Sequence, residues 1–470
     1  MQPESVAGER DPDVDCRPVE ASAESPFKPA AAQGAPRRVG SRPFPDQPPG
    51  TVDEAMPLDH IIVVMMENHS FDNLFGDLGR TRSGVDALHF DGSGTVTNSN
   101  PGPQGTSDAV AAFPFANTGQ AQNVTQSWAA THEQINGGAM NGFVRASNGA
   151  REPMGYYTPE VLPFAYSLAS QFTIGDRWFG SAPGPTYPNR RFLLAGTAYG
   201  ATVTASATLL DPPPPHGTIF DLLSDHNINW CDYFSDVPMT SVIPSIVLKH
   251  ANHHAPISKF FHDCRAGTLP AVSFVDPRIG ILSDIGAPLK SLPGIVQDAL
   301  RVLGADFAAT DPAQTEEDPH DMYWGEAWAA TLVQAVLDSK TWERTLLIYV
   351  YDEHGGYYDH VPPPAAIPPD GIPPKLGPGD PPSTYNIYGP RVPAVVVSPY
   401  SAAGRVTNVI HDHTSVLATI EAKWNLPALT DRDASASTVM DFLDLALAPR
   451  TGLKVQAPST TGPSGPVTAS

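Results

Sequence analysis

Four uninterrupted runs of apolar residues are the clearest pattern along the chain. They occupy residues 61–66, 271–275, 346–351 and 394–397, and they are rich in β-branched and aromatic residues. Apolar residues without polar alternation indicate strands that are covered on both faces, as in the interior of a parallel sheet. The pattern therefore predicts four buried strands.

Segments with a helical period lie between and after these strands. The clearest spans residues 325–339, and a second spans residues 415–424. In the first, the apolar residues that fall on one stripe are Trp328, Leu332, Val333, Val336 and Leu337. Strands that alternate with helices predict an α/β sandwich, with a largely parallel central sheet flanked by helices.

Proline-rich segments interrupt this alternation. Proline accounts for 51 of the 470 residues, roughly twice its usual share. Residues 212–215 and 361–382 hold too much proline for a helix interior or a central strand. They are predicted to be long loops that cap the active-site end of the sheet.

The two ends of the chain lack periodicity. Residues 1–56 are rich in Pro, Ala, Ser and charged residues, and are predicted to be disordered or extended. Residues 451–470 are predicted to be a flexible tail. Residues 57–450 are then expected to form the folded domain.

The charge of the chain excludes some partners. Its 50 acidic and 28 basic residues give a net charge of -22, which repels nucleic acid and gives no long-range attraction to anionic lipid headgroups. No segment reaches the ~20 apolar residues of a membrane span, so no integral membrane segment is expected. Residues 1–20 lack the basic and apolar regions of a signal peptide, which predicts a soluble protein that is either cytoplasmic or exported with its leader absent from this chain.

Polar residues that can bind a cation follow two of the predicted strands. Glu67 and Asn68 follow the first strand, and Asp352 and Glu353 follow the third. Carboxyl ends of parallel strands meet at one edge, so these side chains are predicted to form an oxygen-rich pocket that needs a cation. An all-oxygen set suits Ca²⁺, Mg²⁺ or Mn²⁺, whereas histidine ligands would favour Zn²⁺ or iron. The alternative is that these residues only cap loops.

A hydroxyl and several imidazoles complete the candidate chemistry. Thr186 stands at the start of a predicted helix, where free N–H groups favour an anionic ligand and an ionised hydroxyl. A bound metal would lower the pKa of that hydroxyl further and make it a nucleophile. The alternative is a plain helix cap. His132, His253, His254 and His320 are candidates for neutralising a phosphoryl group and for supplying a proton to its leaving oxygen.

Several long motifs resemble one known family. The segments are MPLDHIIVVMMENHSFDNLFG, SAPGPTYPNRRFLLAGT, TWERTLLIYVYDEHGGYYDHVPPP, YGPRVPAVVVSPYS and HDHTSVLATIEAKW, in that order between about residues 56 and 436. They resemble the bacterial phosphoesterase family of non-haemolytic C-type phospholipases and related acid phosphatases, within the alkaline phosphatase superfamily. The resemblance implies an alkaline-phosphatase-like α/β fold.

The resemblance also implies roles for individual residues. Glu67, Asn68, Asp352 and Glu353 would bind one essential divalent metal ion, whose identity is left open among Ca²⁺, Mg²⁺, Mn²⁺ and Zn²⁺. Thr186 would be the nucleophile, would also touch the metal, and would form a phospho-enzyme intermediate. The phospholipases of the family are similar to this chain in having Thr at this position, whereas the acid phosphatase branch has Ser.

The family resemblance gives three histidine segments a role. His132, in THEQINGGAMNGF, resembles a histidine that contacts the phosphoryl group. His320, in EEDPHDMYWGE, resembles the histidine of an SDHP-type segment, with Pro and His transposed. His253 and His254 match one histidine-containing stretch near Lys249, and which of the two enters the site is open.

The function that these observations predict is metal-dependent hydrolysis of a phosphoester, of the phospholipase C type. One candidate substrate is a phosphocholine-containing lipid. Aromatic side chains near the motifs can surround the quaternary ammonium group of such a lipid. Those side chains are Trp128, Tyr156, Tyr157, Trp178, Tyr187, Tyr323 and Trp324. The alternatives are an acid phosphatase that acts on monoesters, and an inert metal-binding protein of the same fold. The long C-terminal extension of many family phospholipases has no counterpart here, which weakens the phospholipase prediction.

Overall fold

A central eight-stranded sheet organises the chain. The computed structural model describes residues 37–103, 108–120, 124–278, 316, 320–458 and 462–464. The strands are β1 His60–Met66, β2 Ser99–Pro101, β3 Ala109–Ala111, β4 Phe113–Pro114, β5 Gly155–Tyr156, β6 Thr173–Gly175, β7 Trp230–Phe234, β8 His254–Pro256, β9 Val272–Asp276, β10 Thr345–Tyr351, β11 Ala394–Val397 and β12 Val406–Thr407. The central sheet has the order β12-β6-β11-β10-β1-β9-β7-β8, and β2–β3 and β4–β5 form two small sheets.

The four strands predicted from the apolar runs are β1, β9, β10 and β11, and they stand side by side at the centre of the sheet. Strand β11 is antiparallel to both of its neighbours, and the other neighbouring pairs are parallel. Every residue of β1 and β10 is buried, which explains why neither strand alternates polar with apolar residues. The predicted α/β class and largely parallel sheet are confirmed.

Helices connect and cover these strands. They are α1 Phe71–Phe75, α2 Leu78–Thr81, α3 Trp128–Ile135, α4 Phe143–Ala146, α5 Pro163–Gln171, α6 Thr186–Ala195, α7 Ile219–Asp225, α8 Pro244–Lys249, α9 Ile257–Ala266, α10 Met322–Leu337, α11 Thr414–Trp424 and α12 Asp431–Ser435. Both predicted helices are present, as α10 and α11. Helix α10 begins three residues earlier than predicted, because the Asp321 carboxylate caps it by accepting the Tyr323 N–H at 2.9 Å.

The proline-rich segment 361–382 contains no helix and no named strand, as its composition predicts. The Trp128 indole N–H donates to Pro381 O at 3.3 Å, and the Lys375 N–H donates to Gly200 O at 2.8 Å. Trp128 lies beside the segment that precedes α6, and Gly200 belongs to the segment that follows α6. The loop therefore packs over both ends of this helix, which carries Thr186.

Residues 37–56 lie against the C-terminal end of α11 without forming a helix or strand. The Lys423 ammonium group donates to Asp53 O at 3.0 Å and to Met56 O at 2.8 Å. The Asn425 side-chain amide donates to Phe44 O at 3.0 Å. The boundaries of the catalytic domain at residues 57 and 450 stay predictions. Among the described helices, none combines the length and apolar composition needed to cross a membrane.

Candidate active site

The site begins where β1 and β10 end. The two strands are parallel neighbours in register, so Glu67 and Asp352 leave the sheet side by side. The Asn68 and Glu353 backbone N–H groups both donate to Asp352 Oδ1, at 3.0 and 2.8 Å. All four side chains are at most 2% exposed. The structure thus brings together the four residues that the sequence places at one sheet edge, while their role as metal ligands stays a prediction.

Asn68 has a strained backbone and an unsatisfied side chain. Its φ of 67° lies in the left-handed region, which asparagine tolerates better than most residues. Its side-chain Oδ1 is buried and accepts no hydrogen bond from any described residue. A buried carbonyl oxygen without a partner costs about 1–3 kcal/mol. A cation bound at this oxygen would remove that cost.

One guanidinium group stands among the carboxylates. Arg190 of α6 is 1% exposed; its Nη2 lies 3.4 Å from Glu67 Oε1 and its Nε lies 3.1 Å from Asp352 Oδ2. Glu67, Asp352 and Glu353 together carry a formal charge of −3, so Arg190 offsets only part of it. Sequence reasoning missed Arg190, although it lies one helical turn after Thr186.

The neighbouring histidines do not supply the missing positive charge. Burial lowers the pKa of His354 to about 3 and also lowers the pKa of His413. The Trp178 indole N–H donates to His413 Nδ1 at 3.4 Å, so the His413 Nε2–H donates to Asp352 O at 2.6 Å. Both rings are therefore neutral at pH 7. His413 holds the backbone of Asp352 in place.

The strand-end residues fit a divalent cation by charge and by donor type. They offer oxygen atoms only, which favours Ca²⁺, Mg²⁺ or Mn²⁺ over Zn²⁺. Their excess of negative charge and the unpartnered Asn68 Oδ1 both favour a cation. Among the described residues, three His or carboxylate ligand atoms lie within 4.8 Å of one another only around His360. Arg190 lies between Glu67 and Asp352 and keeps their carboxylate oxygens apart. Binding of a cation by both residues would therefore require these oxygens to move closer together.

Thr186 is the first residue of α6 and lies four residues before Arg190. Residues four apart on a helix share one face, so Thr186 lies on the same face of α6 as Arg190, which contacts Glu67 and Asp352. Thr186 is 6% exposed, and its hydroxyl makes no hydrogen bond to the described residues. Thr204 Oγ1 accepts the Tyr187 N–H at 3.1 Å, which caps this end of the helix in place of Thr186.

Asn189 fixes the backbone that leads into Thr186. Its Oδ1 accepts the Ala182 N–H at 3.0 Å. Its side-chain N–H group donates to Gly184 O at 2.8 Å, with longer bonds to Ala182 O and Pro185 O. The side chain is fully buried, so the segment 182–185 depends on it for hydrogen bonds that water cannot replace.

We expect Asn189→Ala to lower the free energy of unfolding by about 2–4 kcal/mol, because buried backbone groups lose their partners. Activity should also fall, since the segment before Thr186 is released. Urea denaturation and the kcat of the same preparation measure both effects. An unchanged unfolding midpoint in Asn189→Ala would contradict this role.

His132 approaches the same region from α3. Its Nδ1 lies 2.7 Å from Trp128 O, so Nδ1 carries the proton and Nε2 is left as the reactive atom. His132 Nε2 is buried and has no partner among the described residues. The Trp128 ring packs against the His132 ring at 4.9 Å, and a Cβ on Gly184 would lie only 3.2 Å from Trp128. Two contacts therefore connect His132 to Gly184, which lies two residues before Thr186.

His254 belongs to a buried hydrogen-bond chain. Its Nδ1 lies 3.0 Å from His250 O and its Nε2 lies 2.8 Å from Thr240 Oγ1, which also lies 2.7 Å from Asp232 Oδ2. Burial lowers the pKa of His254 to about 4. Burial and the nearby Asp276 raise the pKa of Asp232 well above its usual range. Thr240 Oγ1 donates to Asp232 Oδ2, and Asp232 Oδ1 is buried without a partner among the described residues.

His253 and His320 lie in different surroundings. His253 stacks on the Trp230 ring at 4.4 Å and its Nδ1 contacts Trp230 O at 3.0 Å. His320 directly precedes Asp321, the cap of α10. The structure thus separates the two adjacent histidines by environment: His254 is buried in the hydrogen-bond chain, whereas His253 packs against an aromatic ring. The catalytic roles of all four histidines stay predictions.

Most of the aromatic residues near the motifs are core residues. Trp128, Tyr156, Tyr157, Trp178 and Tyr187 are at most 2% exposed, so they are not open to a ligand. A cavity of about 390 Å³ lies instead beside α10, and the residues that line it include Phe261, Glu316, Trp324 and Trp328.

Glu316 connects this cavity to the strand ends. The Glu67 N–H donates to Glu316 Oε1 at 3.3 Å, and Glu316 also lines the cavity. Burial raises the pKa of Glu316 to about 8, so its carboxyl group is mostly protonated at neutral pH. The cavity is therefore next to the candidate site, and Arg278 also lines it.

The chain is similar to several known proteins. The model of the Phosphoesterase family matches residues 58–427. Non-specific phospholipase C6 of Arabidopsis thaliana is 31% identical over 431 residues, which cover 86% of this chain and 75% of that protein. Phospholipase C B of Mycobacterium tuberculosis is 28% identical over 451 residues, covering 83% of this chain and 78% of that protein.

A solved structure of a protein in the alkaline phosphatase superfamily from Vibrio parahaemolyticus is 11% identical to the chain. It matches with a TM-score of 0.33 over 75% of this chain and 73% of that one. A likeness this weak says nothing about chemistry.

Proposed function

Because the chain belongs to the Phosphoesterase family and is a hydrolase of phosphoric esters, we propose that it acts as a phospholipase C-type phosphodiesterase through Thr186. One observation carries the proposal: α6 presents Thr186 and Arg190 on one face, and Arg190 contacts the carboxylates of Glu67 and Asp352. This shared helix face supports a role for the Thr186 hydroxyl next to the buried, oxygen-rich cluster at the carboxyl edge of the sheet.

The proposed reaction has two in-line steps. Thr186 Oγ1 attacks phosphorus and expels the alcohol, and water then cleaves the resulting phosphothreonine from the opposite side. Glu67, Asn68, Asp352 and Glu353 would hold the divalent cation. When bound, the cation would lower the pKa of the hydroxyl and neutralise charge on the phosphoryl oxygens. Arg190 holds Glu67 and Asp352 in position, and Asn189 holds the backbone before Thr186.

In this proposal the histidines contact the phosphoryl oxygens and supply the proton for the leaving alkoxide. We assign contact with the phosphoryl oxygens to His132, whose Nε2 has no partner among the described residues. His254 is a poor source of the proton for the leaving alkoxide, because its ring is neutral and both nitrogens are engaged. We assign that proton to His320, which lies at the start of the helix that lines the cavity.

This assignment predicts a pH dependence. Burial lowers the pKa of His132 below its ordinary value of 6.5, although the Trp128 carbonyl opposes the shift. The ring is thus protonated, and able to donate from Nε2, only below pH 6.5. We expect kcat/KM to rise as the pH falls through this range. His132→Asn should remove the rise and lower kcat/KM by about 10²–10³ at its acidic end.

The exposed His216 provides the control, because His216→Asn should leave the pH profile unchanged. A profile of His132→Asn with the same shape and height as that of the native protein would contradict the role of His132.

A diester fits the charges of the site better than a monoester does. A monoester brings an additional negative charge, and Arg190 is already paired with two carboxylates. The cavity beside α10, with Trp324 and Trp328 in its wall, can take the apolar part of a lipid or a quaternary ammonium group. A phosphocholine-containing lipid is therefore the proposed substrate, and an acid phosphatase activity is the alternative.

Two chromogenic substrates separate these activities. Para-nitrophenylphosphorylcholine and para-nitrophenyl phosphate are compared with metal-loaded protein and after chelation. We expect faster hydrolysis of the choline diester, and loss of both activities on chelation. Preference for the monoester would establish a phosphatase instead, and an absence of metal-dependent turnover of either substrate would support an inert metal-binding protein.

A further inference from the structure

A second group of metal-ligating side chains lies apart from the residues assigned to the active site. Asp86, His89 and His360 each offer one ligand atom, and these three atoms lie within 4.8 Å of one another. We name this group the His360 cluster. It shares no side chain with the proposed catalytic cation site, and the proposed reaction makes no use of it. We propose that the His360 cluster binds a zinc ion.

The orientation of the His360 ring supports this proposal. His360 Nδ1 lies 2.6 Å from Asp72 Oδ2, and Arg391 Nη2 donates to the other oxygen of Asp72 at 3.0 Å. Asp72 is buried, and His360 and Arg391 each contact one of its two carboxylate oxygens. Histidine ligands of zinc nearly always donate the N–H of the nitrogen that does not bind the metal to a carboxylate or carbonyl. Asp72 occupies that position here and leaves Nε2 to face Asp86.

The two carboxylate oxygens of Asp86 also have different partners. Its Oδ2 pairs with Arg177 Nη2 at 2.6 Å, whereas its Oδ1 faces His360 Nε2 at 2.9 Å. Four-coordinate zinc with bonds of about 2.0–2.1 Å separates its ligand atoms by roughly 3.3 Å. Asp86 Oδ1 and His360 Nε2 therefore need to move apart by only a few tenths of an ångström, as the metal replaces the proton between them.

His89 completes the set from the solvent side. Its ring centroid lies 5.0 Å from that of His360, and its side chain is exposed, so it is free to adjust toward the metal. Two imidazole nitrogens and one carboxylate oxygen are a donor set typical of Zn²⁺ rather than of Ca²⁺ or Mg²⁺. With three protein ligands and an exposed edge, the fourth position is left to water.

Cobalt(II) provides the test, because its visible absorption distinguishes four-coordinate nitrogen-containing sites from six-coordinate oxygen sites. Full-length chelator-treated protein is titrated with Co²⁺, and Zn²⁺ affinity is then measured by competition. We expect an intense four-coordinate absorption band in the native protein. His89→Ala, an exposed substitution, should abolish this band and weaken Zn²⁺ binding at this site by at least 100-fold. His216→Ala, which removes another exposed histidine, should leave both unchanged.

A catalytic-site variant keeps the two metals distinct. Glu353→Gln should lower the activity and leave the four-coordinate band in place, because Glu353 lies outside the His360 cluster. If the native protein gave no such band, or if His89→Ala bound Zn²⁺ as tightly as the native protein, the proposal would be overturned. The cluster would then be a network of ion pairs only.

Discussion

Thr186→Ala should lose phosphodiesterase activity by a factor on the order of 10³ or more, the scale on which enzymes lose kcat when a nucleophile is removed. The physical reason is that, in the proposed reaction, Thr186 Oγ1 forms the bond to phosphorus. The hydroxyl makes no hydrogen bond to the described residues, so its removal should change stability little. The measurement is kcat for para-nitrophenylphosphorylcholine at saturating metal.

Two further variants separate chemistry from packing at this position. Thr186→Val keeps the branched shape of the side chain and should be as inactive as Thr186→Ala. Thr186→Ser restores the hydroxyl and should recover most of the activity. Substantial turnover by the valine variant would show that the hydroxyl is not the nucleophile.

Asn68→Gly should lower the metal content of the purified protein, weaken metal binding by at least tenfold and reduce activity by about 100-fold. Glycine accepts the φ of 67° that Asn68 adopts, so the backbone and its N–H bond to Asp352 are retained. Only the side-chain amide is lost, and its Oδ1 has no partner among the described residues. Excess metal should recover much of the activity. Elemental analysis and metal titration of kcat measure these effects.

The matched control is Asn227→Gly, which makes the same substitution at another left-handed asparagine, with φ of 55°, on an exposed turn. It should keep both metal content and activity. If Asn68→Gly behaved like this control, Asn68 would not be a ligand and the strand-end cluster would not be the cation site that we propose.

The central strands were predictable from sequence because burial on both faces removes polar residues from them. β1 and β10 are uninterrupted apolar runs, and strands that run parallel bring Glu67 and Asp352 to one edge. The short strands β6, β7, β8 and β12 were not predicted. They have two to five residues, and side chains such as Asp232 and Thr407 break the apolar pattern in them.

The residues that contact the predicted site residues give weaker signals in the sequence. The sequence indicates only that Arg190 belongs to a helix. Its contacts with Glu67 and Asp352 depend on the packing of α6 against the ends of β1 and β10. Asp276 carries the same signal as Asp352, since it ends a buried strand, although the apolar run in the sequence stops at residue 275. Contacts such as that between His413 and Asp352 join residues 61 positions apart, and no local pattern reveals them.

The most direct test of the account is the stereochemical course at phosphorus. A choline phosphodiester made chiral at phosphorus with sulfur and oxygen isotopes is hydrolysed in isotopically labelled water, and the configuration of the product is determined. Attack by Thr186 followed by attack of water involves two in-line displacements, so the account predicts net retention. Net inversion would show that water attacks phosphorus directly, and would contradict a nucleophilic role for Thr186.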